Sequence, residues 1–387
     1  MSIKGKAYIA GAFEHPTRLA ENKSTAVLHA ECAKGALEDA GLSIEDVDGY
    51  FCAGDAPGGA LSMVDYLGLN VRHVDSTDTG GSSYIVHVSH AAQAIAAGKC
   101  DVALITMAGR PRAAGRNGVK PKAASPNIPD VPFEVPFGPT AVNEYAMAAK
   151  RHMHEYGTTS EQLAWVKVAA SHHAQYNPNA RLQDVVNVDD VLHSPMISDP
   201  LHRLDCCVVS DGGGAVVVVS PEIAKSLKRP LVRVMGAGES PKGQMGGKDD
   251  FTYTGAVWSG RRAFDEAGVT PSDIKYASVY DSFTITVVMQ LEDLGFCEKG
   301  EGGKFVSDGN LISGVGKLPI NTDGGGLNNN HPTSRGGMTK VIEAVRQLRG
   351  EAHPKVQVKD CDIAMAHGTG GGLASRHGSA TLIMERV

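Results

Sequence analysis

The sequence has no excess of positive charge. Its 387 residues carry 37 Lys and Arg against 43 Asp and Glu, a net charge of −6, with no long run of one sign, so it lacks the cationic stripe that holds a nucleic-acid backbone. No window approaches the roughly 20 consecutive apolar residues of a membrane-spanning helix. The opening MSIKGKAYIAGAF turns into a strand pattern where a signal peptide needs a longer apolar run. A soluble, cytoplasmic protein is expected. The seven cysteines (Cys32, Cys52, Cys100, Cys206, Cys207, Cys297, Cys361) are odd in number, lie scattered in apolar stretches and form neither CxxC nor Cys/His ligand spacing. Buried reduced thiols are the expectation, with no metal site and no disulfide framework.

What is plentiful is glycine, 46 of 387 residues, or about 12 per cent against a usual share near 7 per cent. The length allows two or three domains at roughly 100 to 200 residues each, and the glycines punctuate a repeated phrase. Residues 24–41 (STAVLHAECAKGALEDAG) have helical apolar spacing and stop at Gly41, after which IEDVDGYFCAGD leads into a strand. SGRRAFDEAGVTPSDIKYASVYDS repeats this, with Ala36, Ala40, Gly41 and Asp46 recurring at the same spacing as Ala263, Ala267, Gly268 and Asp273. A second echo joins the helix pattern Ser82 to Ala97 and its strand CDVALIT to the helix pattern Gly336 to Leu348 and its strand CDIAMAH.

The chain therefore reads as a duplicated α/β protein. Strands this apolar, joined by crossovers of this length, belong in parallel-rich sheets covered by helices on both faces. The boundaries expected are 1–107 for the first part of the N-terminal half, 108–200 for an insertion, 201–250 for the return to that half and a linker, and 251–387 for the C-terminal half. The insertion opens with a Pro-, Gly- and Arg/Lys-rich stretch and continues in two helix patterns, VNEYAMAAKRHMHEYG and TSEQLAWVKVAASHHAQYN. Such excursions on a sheet scaffold serve as lids, binding loops or packing surfaces.

Ligands of open α/β sheets bind beyond the carboxyl ends of strands, and four loops there stand out. Thr79-Gly80-Gly81-Ser82-Ser83 opens a helix, where backbone N–H groups and the helix dipole favour an oxygen that becomes negative. Tyr280-Asp281-Ser282-Phe283 ends the strand YASVY, with an ordinary turn cap by Asp281 as the simpler reading. Asp323-GGGLNNN-His331-Pro332 leads into the duplicate of the helix behind Gly81, and His367-GTGGG ends the matching strand. Two histidines in glycine-rich loops at neighbouring strand ends suit acid/base work, because glycine admits close backbone approach and imidazole titrates near neutrality.

These blocks carry a resemblance. The run beginning at Tyr145, the block NPNARLQDVVNVDDVLHSPMISDPLHRLDCCVVSDGGGAVVV and the tail GGGLNNNHP…VIEAVRQLRGE…AMAHGTGG are similar to the thiolase superfamily, especially the sterol-carrier-protein type. The resemblance spans nearly the whole chain and implies the five-layered αβαβα thiolase fold with two duplicated halves and an inserted loop region. It places Gly81 where a thiolase has its nucleophilic cysteine, so an acyl-enzyme lacks its thiolate. Tyr280 stands where the sterol-carrier type has histidine and the degradative type asparagine. His331 matches the His-Pro position and His367 the C-terminal loop that bears a second catalytic group.

The resemblance to cysteine-less, steroid-side-chain aldolases of this superfamily implies retro-aldol cleavage of a β-hydroxyacyl-CoA. Tyr280 is then the acid/base at the hydroxyl, His331 the donor to the enolate oxygen, and His367 the second proton-transfer or positioning group. Gly81, Ser82, Ser83, Asn330 and Gly370 are expected at the substrate or oxyanion, and Arg110, Arg112 and Arg116 at the CoA phosphates. No covalent cofactor is expected; coenzyme A enters as part of the substrate. A homodimer and a small partner of OB-fold and zinc-ribbon type complete the implied assembly. Two alternatives stay open: acyl transfer, with Ser82 or Ser83 as nucleophile or by direct transfer, and a silent CoA- or lipid-binding subunit.

Overall fold

The repeated phrase becomes a repeated topology. In the computed structural model, which describes residues 2–115, 131–243, 250–332, 336–373 and 376–387, the first half runs β1 (Tyr8–Glu14), α1 (Thr25–Ala40), β2 (Gly49–Phe51), α2 (Gly59–Leu67), β3 (His73–Asp75), α3 (Ser83–Ala96) and β4 (Val102–Gly109). There follow α4 (Val131–Glu134), α5 (Ala141–Tyr156), α6 (Ser160–Ala174), α7 (Val188–Leu192) and a small hairpin, β5 (Met196–Ser198) and β6 (Leu201–His202). Next come β7 (Gly212–Val219), α8 (Pro221–Ala224) and β8 (Val232–Lys242). The chain ends with α9 (Ala256–Ala267), β9 (Tyr276–Val279), α10 (Thr284–Asp293), α11 (Gly302–Val306), α12 (Gly325–Asn328), α13 (Gly337–Arg349), β10 (Ile363–Gly371) and β11 (His377–Arg386).

The large sheet has the order β3-β2-β4-β7-β1-β8-β11-β10-β9. Read outward from its centre, β1-β7-β4-β2 and β8-β11-β10-β9 have the same pairing: antiparallel, antiparallel, parallel. Between the two half-sheets, β1 and β8 are in register at two pairs among the described residues, Tyr8 with Arg233 and Ile9 with Val232. Hydrogen bonding thus joins the two half-sheets at a narrow seam, and β8, upstream of residue 251, pairs along β11.

Helix ends follow the local chemistry. Ser24 accepts a hydrogen bond from Val27 N–H to cap α1, and Gly41 takes the left-handed conformation, φ 73°, that closes it. Glycine in strands β1 and β8 brings helices down onto them: a β-carbon at Gly11 would lie 2.1 Å from Ala36 O of α1, and one at Gly238 2.1 Å from Ser259 O of α9.

Helices α3 and α13 touch each other and strands of both halves, sharing one apolar core with them. Outside this central layer, α1 and α2 cover the first half-sheet, and α9, α10, α5 and α6 cover the second. The five layers are therefore α, β, α, β, α. The helices of 108–200 pack on the second half, although the chain leaves the first to make them. No helix among the described residues is long and apolar enough to cross a membrane.

Candidate active site

Strand alternation sends Tyr276 into the central layer, and four residues on Tyr280 points the same way. Tyr280 N–H donates to His367 O at 3.0 Å, which ties the end of β9 to β10. The phenol then ends against Gly81. A β-carbon on Gly81 would lie 2.5 Å from Tyr280 Oη and 2.2 Å from Thr369 O, so a glycine there makes the space that the tyrosine hydroxyl fills.

Tyr280 Oη is 3.0 Å from His331 Nε2, with the rings edge to face, centroids 5.5 Å apart. Gly336 N–H points at the same oxygen at 3.4 Å. Burial pushes the phenol well above its usual value of 10, so at neutral pH it stays protonated and can donate to His331 Nε2 when that nitrogen carries no proton, while accepting from Gly336 N–H.

Asp281, the neighbour of Tyr280, holds the loop that carries His331. Its carboxylate accepts from Gly326 N–H at 2.8 Å and Leu327 N–H at 3.2 Å. It also pairs with Lys340 Nζ of α13 at 2.5 Å, the two side chains being 1% and 2% exposed. A buried pair of this kind depends on both partners. It is a turn cap, as the simpler reading of the sequence had it, and it also fastens β9, α12 and α13 together. Lys167 of α6 adds a second tie, donating to Leu327 O at 2.9 Å and Asn328 Oδ1 at 2.7 Å; burial lowers its pKa to about 8.

The remaining expected residues divide. Gly370 meets the first loop through its backbone, since a β-carbon there would lie 1.9 Å from Thr79 O. Ser82 and Ser83 are at the site, but their hydroxyls donate to Thr79 O at 2.9 Å and Gly80 O at 2.7 Å. Asn330 is buried with both ends of its amide engaged, Nδ2 to Glu14 and Oδ1 from Ser210.

The ring of His367, expected as a second proton-transfer or positioning group, points to the outer face of β10, although the residue's main-chain oxygen accepts from Tyr280 N–H. Its Nδ1 is 2.8 Å from Thr381 Oγ1, which is 3.0 Å from Ser259 Oγ of α9. The ring thus faces the outer helices, and burial pushes it down to about 3. The next residue, Gly368, faces the reaction loops instead; a β-carbon there would lie 3.3 Å from Gly81 O. Lys340, Gly336 and Gly368 had no role at the site in the sequence reading, and Asp281 was read only as a turn cap. Lys340 left a signal, because α13 carries Lys, Glu and Arg where its duplicate α3 has no Lys, Arg, Asp or Glu.

Arg110 spends its guanidinium on Ala20 O and Glu21 O. Arg116 lies outside the described residues. Arg112 lines a cavity of about 540 Å³ together with Lys167, Arg181, Arg203, Cys206 and Cys207. Its wall is fixed to the reaction loops: Cys207 N–H donates to Ser282 O and Val208 N–H to Gly326 O, both at 2.9 Å. A larger cavity, ≈ 800 Å³, is walled by Asp78, Gly80, Lys242, Arg376 and His377 among others, without Tyr280 or His331.

Residues 237–386 match the family described as thiolase C-terminal domain-like. The chain is 35% identical to an acetyl-CoA acetyltransferase of Methanothermobacter thermautotrophicus, over 90% of this chain and 92% of that protein. It is equally 35% identical to a steroid side-chain-cleaving aldolase of Thermomonospora curvata, over 90% and 91%. Among solved structures, the Ltp2-ChsH2(DUF35) aldolase superposes with a TM-score of 0.89 at 32% identity, covering 99% of this chain and 98% of the other. With relatives matched end to end on this five-layered duplicated fold, the chain belongs to the thiolase superfamily.

Proposed function

We propose that this protein cleaves the Cα–Cβ bond of a β-hydroxyacyl-CoA by a retro-aldol step that forms no covalent bond to the enzyme. The observation that carries the reading is Tyr280 Oη, held 3.0 Å from His331 Nε2 in the space that a side chain at position 81 would need. A phenol this hard to ionise does not serve as a standing base. It works with His331: the imidazole takes the phenol proton as the tyrosine oxygen takes the proton of the substrate's β-hydroxyl. Cβ becomes a carbonyl, and the Cα–Cβ electron pair moves into the thioester as its enolate. The imidazolium formed alongside offsets the enolate charge, the electrostatic part of the donor role expected for His331. Return of the proton to Cα yields the shortened acyl-CoA. His367 has no step, because its ring faces α9.

The similarity to a steroid side-chain-cleaving aldolase and to the Ltp2-ChsH2(DUF35) aldolase supports this reading. The tethered hydroxyls of Ser82 and Ser83 argue against either as an acyl-transfer nucleophile. Arg112, Arg181 and Arg203 lie around the cavity beside the reaction loops, and in this reading they take the phosphates of CoA. The solved relative is named for two components, which supports a small OB-fold and zinc-ribbon partner here; a homodimer is part of the same proposal.

The test is a product balance. The purified protein, alone and with any subunit that co-purifies from its host, is given β-hydroxyacyl-CoA thioesters. Equal amounts of a ketone or aldehyde and a shortened acyl-CoA, with no free CoA consumed, are expected. Turnover only of β-ketoacyl-CoA, and only with free CoA, would replace this reading by thiolysis.

A further inference from the structure

We propose that Glu14, at the end of β1 in the first half, is a positioning residue for His331 in the second half. The inference rests on the retro-aldol reading for its rate measurements, though not for its geometry. Glu14 is 8% exposed. Its Oε1 accepts from three side chains: Arg18 NH2 at 2.8 Å, Asn329 Nδ2 at 3.1 Å and Asn330 Nδ2 at 3.0 Å. Arg346 NH2 of α13 is 3.8 Å from the other oxygen.

From Asn330 the chain of contacts continues without a gap. Asn330 Oδ1 accepts from Ser210 Oγ at 2.7 Å, and Ser210 Oγ accepts from His331 N–H at 2.8 Å. Asn330 can meet both demands only with its amide oxygen toward Ser210 and its NH₂ toward Glu14. A carboxylate, which only accepts, fixes that orientation. Arg18 strengthens the clamp from behind, donating to Asn329 O at 3.1 Å and Asn329 Oδ1 at 2.6 Å. The two residues before His331 are thus gripped by Glu14 at the end of β1 and by Arg18 in the loop after it, and the imidazole is aimed at Tyr280 by a contact that the first half supplies. Errors of about 1 Å in such a group cost on the order of 100-fold in rate.

Glu14→Gln keeps the shape but offers NH₂ on one side and removes the charge facing Arg18 and Arg346. Asn330→Ala cuts the same path and leaves Glu14, Arg18 and Asn329 in contact, so it serves if the first variant does not fold. Each is expected to lower kcat by roughly 10- to 100-fold with KM within about threefold. In a His331→Ala background each should cost less than about twofold more, because the path ends at His331. Full, independent losses in that background would overturn the proposal.

A measurement free of catalysis stands beside these. In protein labelled with ¹⁵N-histidine, the His331 Nε2 resonance reports its bond to Tyr280, and both folded variants should shift it. An unchanged resonance would overturn the positioning role whatever the substrate. If the wild-type protein leaves β-hydroxyacyl-CoA uncleaved, the retro-aldol reading fails, and the resonance still decides the role of Glu14.

Discussion

Tyr280 Oη lies 2.5 Å from the point where a β-carbon of Gly81 would sit. Gly81, which the resemblance places where the cysteine thiolases carry their nucleophile, leaves its side-chain space to a phenol reaching in from the other half. The two features go together: the glycine admits the tyrosine, and the tyrosine leaves no room for a thiol.

Gly81→Ala should overpack this spot, since the new methyl would also meet the main-chain oxygen of Thr369 at 2.2 Å. Overpacking typically costs about 1–3 kcal/mol. A lower melting temperature and a large loss of cleavage are expected. Gly81→Cys should behave likewise and should not confer thiolysis on β-ketoacyl-CoA.

No covalent nucleophile is expected to be found by trapping. Burial pushes the thiols of Cys52, Cys100, Cys206, Cys297 and Cys361 up to about 12, and those of Cys32 and Cys207 higher still. Iodoacetamide near neutral pH should therefore leave activity intact. Cys206 and Cys207 line the cavity beside Ser282, closer to the site than their apolar setting in the sequence suggested. Ser82→Ala and Ser83→Ala should keep activity within a few-fold, each losing about 1 kcal/mol of local hydrogen bonding. Intact mass spectrometry that caught an acyl-enzyme on any of these residues would restore acyl transfer.

Stability should fall away from a neutral plateau on both sides. Burial lowers His87, His173 and His377 to about 4 and His367 to about 3, against about 6.5 in an unfolded chain. Between those values the unfolded state binds more protons, so the contribution of these groups is present above about pH 6.5 and is lost as pH falls toward 3 to 4. His90 has the opposite sign. Its hydrogen bonds to Asp75 and Glu239 raise it to about 9, so its contribution is present below about pH 6.5 and is lost as pH rises through 9. Melting temperatures measured from pH 4 to 10 should show both limbs, and His90→Gln should flatten the alkaline one. An alkaline limb unchanged in that variant would remove His90 as its cause.

The duplicated phrases made the fold legible because helix stops such as Gly41 and Gly268 are local chemistry, as are the strands that follow them. Tyr280 and His331 were legible because each stands in a loop at a strand end or ahead of the central helix. The face of His367 was not. β10 is IAMAHGTGG, buried on both faces for most of its length, and such a strand shows no alternation from which to read inward or outward. The clamp by Glu14 was equally hidden, since it joins β1 to a loop in the other half and leaves no periodic trace. Asp281 could be read only as a turn cap until its partner on α13 was known.

The most direct test is the rate of Tyr280→Phe on a β-hydroxyacyl-CoA. This change keeps the ring and its packing against Gly81 while deleting the hydroxyl bonded to His331. With the fold checked by melting temperature, cleavage should fall on the order of 100-fold or more, the range for loss of a positioned acid/base group, with KM little changed. A folded Tyr280→Phe protein that cleaves at the wild-type rate would contradict the account and remove the Tyr280–His331 pair from the chemistry.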